Sequence, residues 1–319
     1  MSTRRHAPKT LADDPRLWAI VLAAGEGKRL ASLTRALYGW ELPKQFAVLH
    51  GGRSLLQTTM DRVAPLVPPE RTVVVVGLAQ EGLARLQLAE YPGVEIVPQP
   101  RNLDTGPGIL LPLTHVLARD PGASVVVLPS DHYVADSRPL LRAVRTAVES
   151  SRRVEDVLTL LGVVPDRADT EYGWIVPGPR VDRGTDTRLR GVSRFVEKPP
   201  PREARELLRS GALWNTFISV SRASTYWNVA KKHLPVQAAL FEKYGLEIGR
   251  PGGKALLDTL YAAMEPANFS RAVLEHVENL AVLPVGGTGW SDWGNPERVL
   301  QSLKTSCAES GSAMQGARV

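Results

Sequence analysis

Cysteine and histidine are scarce in this sequence of 319 residues, which contains one cysteine, Cys307, and six histidines. A lone cysteine can form neither an internal disulfide nor a cysteine-based zinc site, and such usage is typical of a reducing compartment. The histidines show no spacing typical of metal ligands. We therefore expect neither a disulfide framework nor a zinc centre of this kind.

Long apolar runs and long runs of basic residues are also missing. No stretch approaches the roughly 18 consecutive apolar residues that cross a bilayer, and no apolar segment of signal-peptide length follows Arg4 and Arg5. Basic residues form no run of five or more, and aromatic residues make up only 6% of the chain. We therefore expect a cytoplasmic protein that binds neither membranes nor nucleic acid.

The composition is otherwise that of a folded protein with an excess of positive charge. Hydrophobic residues make up 43% of the chain and charged residues 23%, which supplies enough apolar material for a sizeable core. The 39 lysines and arginines outnumber the 33 acidic residues and give a net charge of +6. Because these cations are scattered, their excess favours small phosphorylated substrates.

Short apolar runs alternate with helix-like segments in the first 150 residues. The runs are 18–22, 72–76, 94–97 and 124–128, and the helix-like segments are 54–63, 80–89, 107–117 and 139–149. Nearly continuous apolar runs are typical of strands buried on both faces of a parallel sheet. The alternation predicts a doubly wound, mostly parallel, Rossmann-like α/β sheet, with ligands beyond the carboxyl ends of its strands.

The second half predicts a smaller, less regular part. Its strand-like runs are 157–164, 174–177, 189–196, 217–220 and 281–284, and its helical patterns are 202–210, 225–233, 236–244, 253–264 and 296–303. We expect an N-terminal tail over 1–16, one domain over 17–303 with halves at about 17–150 and 151–303, and a flexible tail over 304–319.

Two glycines and two cations follow the first predicted strand, in the segment Leu22-Ala-Ala-Gly-Glu-Gly-Lys-Arg-Leu30. Gly25 and Gly27 allow a tight turn whose exposed amides can bind phosphate oxygens. Lys28 and Arg29 place positive charge beside those amides, and a guanidinium can hold phosphate with two parallel hydrogen bonds. By itself the segment is equally well explained as a tight turn between a strand and a helix.

A second cation, Lys44, lies in the segment Leu42-Pro-Lys-Gln-Phe46, on a turn stiffened by proline. Together the two segments resemble the signature of nucleotidyltransferases that act on sugar phosphates, a family with a glycosyltransferase-A-like sheet. The glutamine and phenylalanine after the lysine resemble the mannose-1-phosphate guanylyltransferase branch. Ala24 is a departure, because the family has glycine there.

Five further segments and then a late loop match the family's motifs in the same order, so that the resemblance covers about residues 17–303. They are Gln99–Ile109 near the base, Leu128–His132 with a strand-end aspartate, Tyr172–Ile175 and Phe195–Pro199 near the sugar, and Trp214–Ile218 beside them. A late loop, Gly289–Gly294, supplies a second aspartate. Asp104 and Phe217 stand where the family has other residues.

The resemblance implies a role for each matching residue. Nucleotide binding falls to Leu22, Ala23, Gly25, Gly27, Arg29, Lys44, Gln99, Thr105 and Gly106. The sugar phosphate falls to Tyr172, Gly173, Glu197, Lys198 and Asn215. Catalysis falls to Arg29, Lys44, Asp131, Lys198 and Asp292, of which Asp131 and Asp292 hold Mg²⁺. We expect His132 to have a structural role.

The implied reaction is transfer of a guanylyl group from GTP to mannose 1-phosphate, which gives GDP-mannose and pyrophosphate; a homodimer is possible. Two alternatives stay open. The chain could be a uridylyl- or thymidylyltransferase that acts on glucose 1-phosphate, because Ala24, Asp104 and Phe217 depart from the pattern. It could also be a nucleotide-sugar-binding regulatory protein without turnover. An NAD-dependent dehydrogenase needs an acidic residue after the second strand, and Val76-Gly77-Leu78 offers none.

Overall fold

The computed structural model describes residues 14–154, 156–181 and 188–304. Within this part of the chain, nine strands form one sheet with the spatial order β3-β2-β1-β4-β8-β5-β9-β7-β6. The strands are β1 (Leu17–Ala23), β2 (Thr72–Gly77), β3 (Glu95–Gln99), β4 (Ser124–Pro129), β5 (Leu158–Val163), β6 (Gly173–Arg180), β7 (Arg190–Glu197), β8 (Leu213–Arg222) and β9 (Leu280–Val285).

Helices cover both faces of this sheet. They are α1 (Ala31–Tyr38), α2 (Leu55–Val63), α3 (Glu81–Gln87), α4 (Thr105–Arg119), α5 (Ser137–Arg153), α6 (Pro201–Arg209), α7 (Ala223–His233), α8 (Pro235–Gly245), α9 (Gly253–Ala263) and α10 (296–304). Among these described helices, none has the length and apolar character needed to cross a membrane. The α/β class predicted from the sequence is confirmed.

The first four strands form the parallel part of the sheet. β1 pairs parallel with both β2 and β4, and β2 pairs parallel with β3. Alternate residues of β1 enter opposite cores: Trp18 and Ile20 pack in one cluster with α4, whereas Ala19 packs in another with α5. This two-sided burial explains why the run lacks a polar face. The carboxyl ends of all four strands therefore meet at one edge.

The second half, for which the sequence predicted a less regular part, contains mostly antiparallel strand pairs. β8 runs antiparallel to β4 and β5, β6 and β7 form an antiparallel pair, and β5 with β9 is parallel. Parallel neighbours need a crossover of a dozen or more residues, which the short link between β6 and β7 does not provide. β8 also starts at Leu213, earlier than the predicted 217–220 strand, so the Trp214 motif lies inside it.

One apolar core connects the two halves of the chain. The cluster that contains Ile20 of β1 also contains Leu160 of β5 and Val282 of β9. Most of both predicted tails, including Cys307, lies outside the described residues. The division into a nucleotide half and a sugar half stays a prediction.

Candidate active site

A cavity of about 330 Å³ lies over the carboxyl ends of the parallel strands. Its walls come from the loop after β1, the end of β3, the start of α4, the end of β4, and β8. The lining residues are Leu22, Ala24, Gly25, Gln45, Val75, Gln99, Asn102, Asp104, Thr105, Gly108, Pro129, Ser130, Asp131, His132 and Phe217. The cavity is thus where ligands bind in open α/β sheets.

The glycine loop packs directly against the segment that carries Lys44. Gly27 has a φ of +67°, and a Cβ there would lie 2.7 Å from the backbone nitrogen of Lys44, so this position needs glycine. Gly25 has nothing within 4 Å of its Cβ position and faces the cavity. Gln45 donates to the carbonyl oxygens of Ala23 at 2.8 Å and Gly25 at 2.7 Å, which fixes the loop from below.

Lys44 joins the two predicted metal-binding acids. Its side chain is buried, and its Nζ lies 3.1 Å from Oδ2 of Asp131. The same Nζ donates to the backbone carbonyls of Asp292 at 2.5 Å and Trp293 at 3.4 Å. The ammonium therefore contacts three protein oxygens, and its positive charge holds the loops of Asp131 and Asp292 together.

The two acidic loops are also paired with each other. The backbone nitrogen of Tyr133 donates to the carbonyl of Ser291 at 2.9 Å, and the nitrogen of Ser291 donates back at 3.0 Å. The rings of Tyr133 and Trp293 stack at 4.5 Å. The strand-end aspartate and the late-loop aspartate, although distant in sequence, are thus adjacent in space.

Asp131 faces the cavity with its side chain 34% exposed. Burial opposes its ionisation, but the charge of Lys44 outweighs this and lowers the pKa of Asp131. Burial also lowers the pKa of the neighbouring His132 to about 4, so this imidazole is neutral at pH 7. His132 packs edge-on against Trp290, and its Nδ1 has no hydrogen-bond partner among the described residues.

Asp292 is held far more tightly. Its Oδ1 accepts hydrogen bonds from the Tyr172 hydroxyl at 2.8 Å, Arg298 Nη1 at 2.8 Å and the Gly294 nitrogen at 2.9 Å. Burial alone would raise its pKa, but the positive charges of His132 (when protonated), Lys44 and Arg298 lower the pKa to about 2. Its Oδ2 has a longer contact with Arg29 Nη2, at 3.5 Å.

Arg298 was not found by sequence reasoning, because it belongs to no motif. Its guanidinium lies over the ring of Tyr172 and bridges two carboxylates, with Nη1 on Asp292 and Nη2 on Asp169 at 2.6 Å. Asp169 in turn accepts from the backbone nitrogen of Glu171 at 2.9 Å. This chain of contacts holds the loop before β6, residues 169–172, against α10.

Arg29 links the glycine loop to the same loop before β6. Its Nη1 lies 2.9 Å from Oε2 of Glu171, and both side chains are about half exposed. An exposed pair of this kind is weak, so Arg29 can exchange Glu171 for a phosphate.

Three of the predicted sugar-binding residues come together at the start of β6. Gly173 pairs with Glu197 across the β6–β7 ladder. A Cβ at Gly173 would lie 2.8 Å from Oε2 of Glu197 and 3.4 Å from Cβ of Asn215, so glycine keeps this space open. Burial raises the pKa of Glu197. Oδ1 of Asn215 accepts from the Phe217 nitrogen, which leaves its amide NH₂ for other contacts.

The other two predicted sugar residues are placed differently. The Tyr172 side chain is buried and its hydroxyl is bound to Asp292. Lys198 is exposed and has a φ of +51°, and its backbone nitrogen donates to the Tyr172 carbonyl at 3.2 Å. Tyr172 therefore acts on the acid rather than through a free hydroxyl, whereas the Lys198 ammonium stays accessible.

The start of α4 holds a distant segment in place. The nitrogen of Gly106 donates to the Ala267 carbonyl at 2.7 Å, and a Cβ at Gly106 would lie 2.7 Å from that oxygen. Oγ1 of Thr105 accepts from the Phe269 nitrogen at 2.8 Å. The Gly106 amide is therefore already used, although Thr105 still lines the cavity.

Leu22 and Ala23 contribute through their backbones. The Leu22 carbonyl accepts from the Ser130 nitrogen at 3.0 Å and hydroxyl at 2.7 Å, which ties the ends of β1 and β4 together. Leu22 lines the cavity, whereas the Ala23 side chain is buried beneath the loop.

Two of the residues that line the cavity have strained backbones. Left-handed φ values occur at Asp104 (+68°) and Phe217 (+60°) in the cavity wall, and elsewhere in the described chain at Asp156 (+59°), Lys198 (+51°) and Trp293 (+45°). Each such non-glycine residue costs about 1–3 kcal/mol, which persists only where the surrounding structure enforces it. Phe217 occupies a position where the related motif has glycine, and the φ value explains why glycine suits that position.

The acidic pair fits a magnesium ion. Asp131 and Asp292 are both ionised at neutral pH, and Oδ2 of Asp292 has no donor closer than Arg29 at 3.5 Å among the described residues. The described residues contain no group of three or more His, Cys, Asp or Glu side chains that could hold a metal ion by themselves. Mg²⁺ is commonly held by one or two carboxylates together with substrate phosphates and water. Asp131 lines the cavity and Asp292 lies in the loop paired with it, so the two acids suit such an ion.

Comparison with known proteins gives consistent relatives. A mannose-1-phosphate guanylyltransferase of Salmonella typhimurium is 32% identical over 282 residues, which cover 86% of this chain and 56% of the relative. One from Escherichia coli is 30% identical over 286 residues, with 88% and 58% coverage. The chain thus spans slightly more than half the length of these curated relatives.

A solved structure and a family model agree with them. The crystal structure of a mannose-1-phosphate geranyltransferase from Thermus thermophilus superposes with a TM-score of 0.76 and 34% identity, covering 89% of this chain and 79% of that one. The family model described as nucleotidyl transferase matches residues 18–308. The chain therefore belongs to the nucleotidyl transferase family.

Proposed function

We propose that this protein transfers a guanylyl group from GTP to mannose 1-phosphate in the presence of Mg²⁺ and releases pyrophosphate. The observation that carries the proposal is the position of Lys44 between Asp131 and Asp292, at the end of a cavity walled by the glycine loop. The names of the curated relatives support the choice of base and sugar.

The reaction joins two polyanions. A phosphate oxygen of mannose 1-phosphate attacks the α-phosphorus of GTP; the new oxygen–phosphorus bond forms while the bond from the α-phosphorus to the oxygen that bridges to the β-phosphorus breaks, and pyrophosphate leaves. The attacking phosphate is already ionised at neutral pH, so no general base is needed. Catalysis therefore consists of placing like charges in line and neutralising them.

The nucleotide side of the cavity binds the triphosphate. Backbone amides of the loop around Gly25 and Gly27 face the phosphate oxygens, and Arg29 leaves Glu171 to contact them. Asp131 and Asp292 would hold Mg²⁺, which would offset phosphate charge when bound. Lys44 keeps both acids in position through Oδ2 of Asp131 and the carbonyl of Asp292.

The β6–β8 side binds the sugar phosphate. Glu197 and the Asn215 amide contact hydroxyls in the space that Gly173 leaves open. Lys198, exposed beside them, meets the sugar's phosphate. Burial raises the pKa of Glu197, so protonation of this carboxylate as the pH falls should weaken sugar binding.

The test is a substrate panel with the purified chain. Pyrophosphate release is measured with GTP, UTP and dTTP, each paired with mannose 1-phosphate and glucose 1-phosphate, with Mg²⁺ or with EDTA. GTP-, mannose- and Mg²⁺-dependent release is the expected result. Preference for UTP or dTTP would instead establish the uridylyl- or thymidylyltransferase alternative.

A regulatory protein without turnover would give a different result. It would bind GTP or GDP-mannose in calorimetry but release no pyrophosphate with any pair of substrates. The variant Asp131→Asn is the control for an enzyme without its metal site. It removes one candidate Mg²⁺ ligand but leaves the backbone of the loop unchanged, so it should bind nucleotide without releasing pyrophosphate.

A further inference from the structure

The cavity has a phosphate end and a base end. Asp131 follows β4 and Gly25 follows β1, whereas Gln99 ends β3, at the far edge of the parallel strands. Three strand spacings separate β4 from β3, or roughly 14 Å. A nucleotide whose phosphates lie at the glycine loop therefore extends its base toward Gln99 and Asp104.

The base end presents a buried hydrogen-bond acceptor that lacks a partner among the described residues. Gln99 is 1% exposed, and its Oε1 has no partner within the described part of the chain. This oxygen lies 3.8 Å from the Cβ position of Gly108, which also lines the cavity, so it points toward the cavity. A buried acceptor without a partner is costly, and a ligand N–H would satisfy it.

Asp104 adds a carboxylate at the same end. Its Oδ1 accepts from the Thr105 nitrogen at 2.6 Å, and Nδ2 of Asn268 lies 3.2 Å from Oδ1 and 3.3 Å from Oδ2. An ionised carboxylate has about four acceptor positions and no donor. Oδ2 therefore retains capacity for a ligand N–H.

The backbone at Asp104 would be least strained with glycine. Its φ of +68° and ψ of −173° lie in a region that is populated essentially by glycine alone. Glycine also caps helices well enough to replace aspartate there with only a small loss. Capping of α4 alone therefore does not account for a carboxylate at this position.

We infer that Asp104 reads the base as guanine by accepting a hydrogen bond from its exocyclic 2-amino group, next to an N1–H that Gln99 accepts. This inference rests on the proposed function. Guanine carries these two donors side by side. Uracil and thymine place a carbonyl oxygen on each side of their single ring N–H, and adenine has an acceptor at N1, so a carboxylate would repel them.

Base analogues test this directly in the 319-residue chain. ITP lacks only the 2-amino group, so kcat/KM for GTP should exceed that for ITP by roughly 10- to 100-fold, the value of one charge-assisted hydrogen bond. Asp104→Gly suits the backbone and should bring the ratio close to one. Wild-type protein that uses both nucleotides equally would overturn the inference.

A second variant changes the direction of the preference. Asp104→Asn still caps α4 but offers an NH₂ donor, which can pair with the 2-oxo group of xanthine. The ratio of kcat/KM for XTP to that for GTP should rise by on the order of 100-fold over wild type. A purely structural role for Asp104 would leave this ratio unchanged, and that result would contradict the inference.

The outcomes separate this inference from the proposed function. Asp258→Asn, which removes the same charge from an exposed position on α9, is the matched control and should leave all ratios unchanged. Wild-type preference for UTP or dTTP would overturn both proposals. GTP-specific turnover without discrimination against ITP would overturn only the role of Asp104.

Discussion

The loops that carry Asp131 and Asp292 meet at one lysine but hold their carboxylates in different ways. Asp131 is partly exposed and depends on Lys44 for its close charged contact. Asp292 is buried and accepts from Tyr172, Arg298 and the backbone of Gly294. One acid is thus left available to a ligand, whereas the other is fixed by the protein in advance.

This difference has an energetic cause. A buried carboxylate is tolerated only when charges and hydrogen bonds compensate its lost hydration. For Asp292, that compensation occupies one oxygen fully and leaves the other for a cation. Asp131 is about one-third exposed and is compensated chiefly by Lys44, so it has fewer protein contacts to give up as phosphates and metal arrive.

The largest predicted effect is on turnover after either acid is changed to its amide. Asp131→Asn and Asp292→Asn should each lower kcat roughly 10³-fold or more, because the proposed metal loses a negatively charged carboxylate ligand. Their stabilities should differ: Asp292→Asn should lose about 3 kcal/mol of unfolding free energy, since Arg298 stays buried with one partner fewer. Steady-state kinetics and urea unfolding measure both quantities.

Equal stability of the two variants would remove the proposed distinction between the loops. Normal turnover of either variant would show that its carboxylate does not hold the metal.

The next effect concerns the residue that fixes Asp292. Arg298→Met should lower the free energy of unfolding by about 3–5 kcal/mol, because Asp169 and Asp292 stay buried without their shared cation. The matched control is Arg202→Met, whose exposed pair with Glu206 should contribute less than about 0.5 kcal/mol. Denaturant titrations of both variants make the comparison.

Additional loss of Mg²⁺ affinity in Arg298→Met would show that the arginine also orients the acid. If both arginine variants were equally stable, the buried bridge would have no structural weight.

A smaller effect is expected where the glycine loop supports Lys44. Gly27→Ala should destabilise the protein by about 1–3 kcal/mol, because its left-handed φ and the Lys44 nitrogen both exclude a methyl group. Gly25→Ala has open space and should change thermal stability little. If Gly27→Ala were as stable as Gly25→Ala, the close packing of the glycine loop against the Lys44 backbone would not contribute to stability.

The smallest effect extends the comparison to a third acid. The pKa of Glu197 is raised in the folded protein, so its ionised form is disfavoured there and the protein loses stability as the pH rises through that raised pKa. Glu197→Gln should therefore melt at a higher temperature than wild type at pH 7. The difference should disappear below the ordinary glutamate value of 4.5.

Thermal melts between pH 4 and pH 8 measure this change. Glu206→Gln, at an exposed position of α6, provides the control. A pH-independent difference for Glu197→Gln would assign the effect to packing instead of ionisation.

Sequence patterns located the strand ends and the residues that follow them. The apolar runs before Gly25 and Asp131 predicted strands β1 and β4, and parallel pairing then brings their carboxyl ends together. These two strand predictions succeeded because they depend on local pattern and on a general property of sheets. The grouping of Glu197 and Asn215 with Gly173 came instead from the resemblance to the family, and their role in sugar binding stays a prediction.

Other features could not be read in this way. Arg298 and Asp169 belong to no recognised motif and acquire a role only through tertiary contact with Asp292. The bond between Gly106 and Ala267 joins segments whose sequences carry no sign of their meeting. Helix α1 was not among the predicted helical segments; Thr34 is its buried residue, and most of the helix lies at the surface.

The paired backbone of Tyr133 and Ser291 has a consequence for folding. It brings together two pieces of chain separated by most of the sheet, and neither piece alone contains both acids. Closing so long a loop is entropically costly until the intervening strands have assembled. Divalent-ion affinity should therefore be absent from partly folded chains and should emerge together with the last tertiary contacts, so that ion binding reports completed folding.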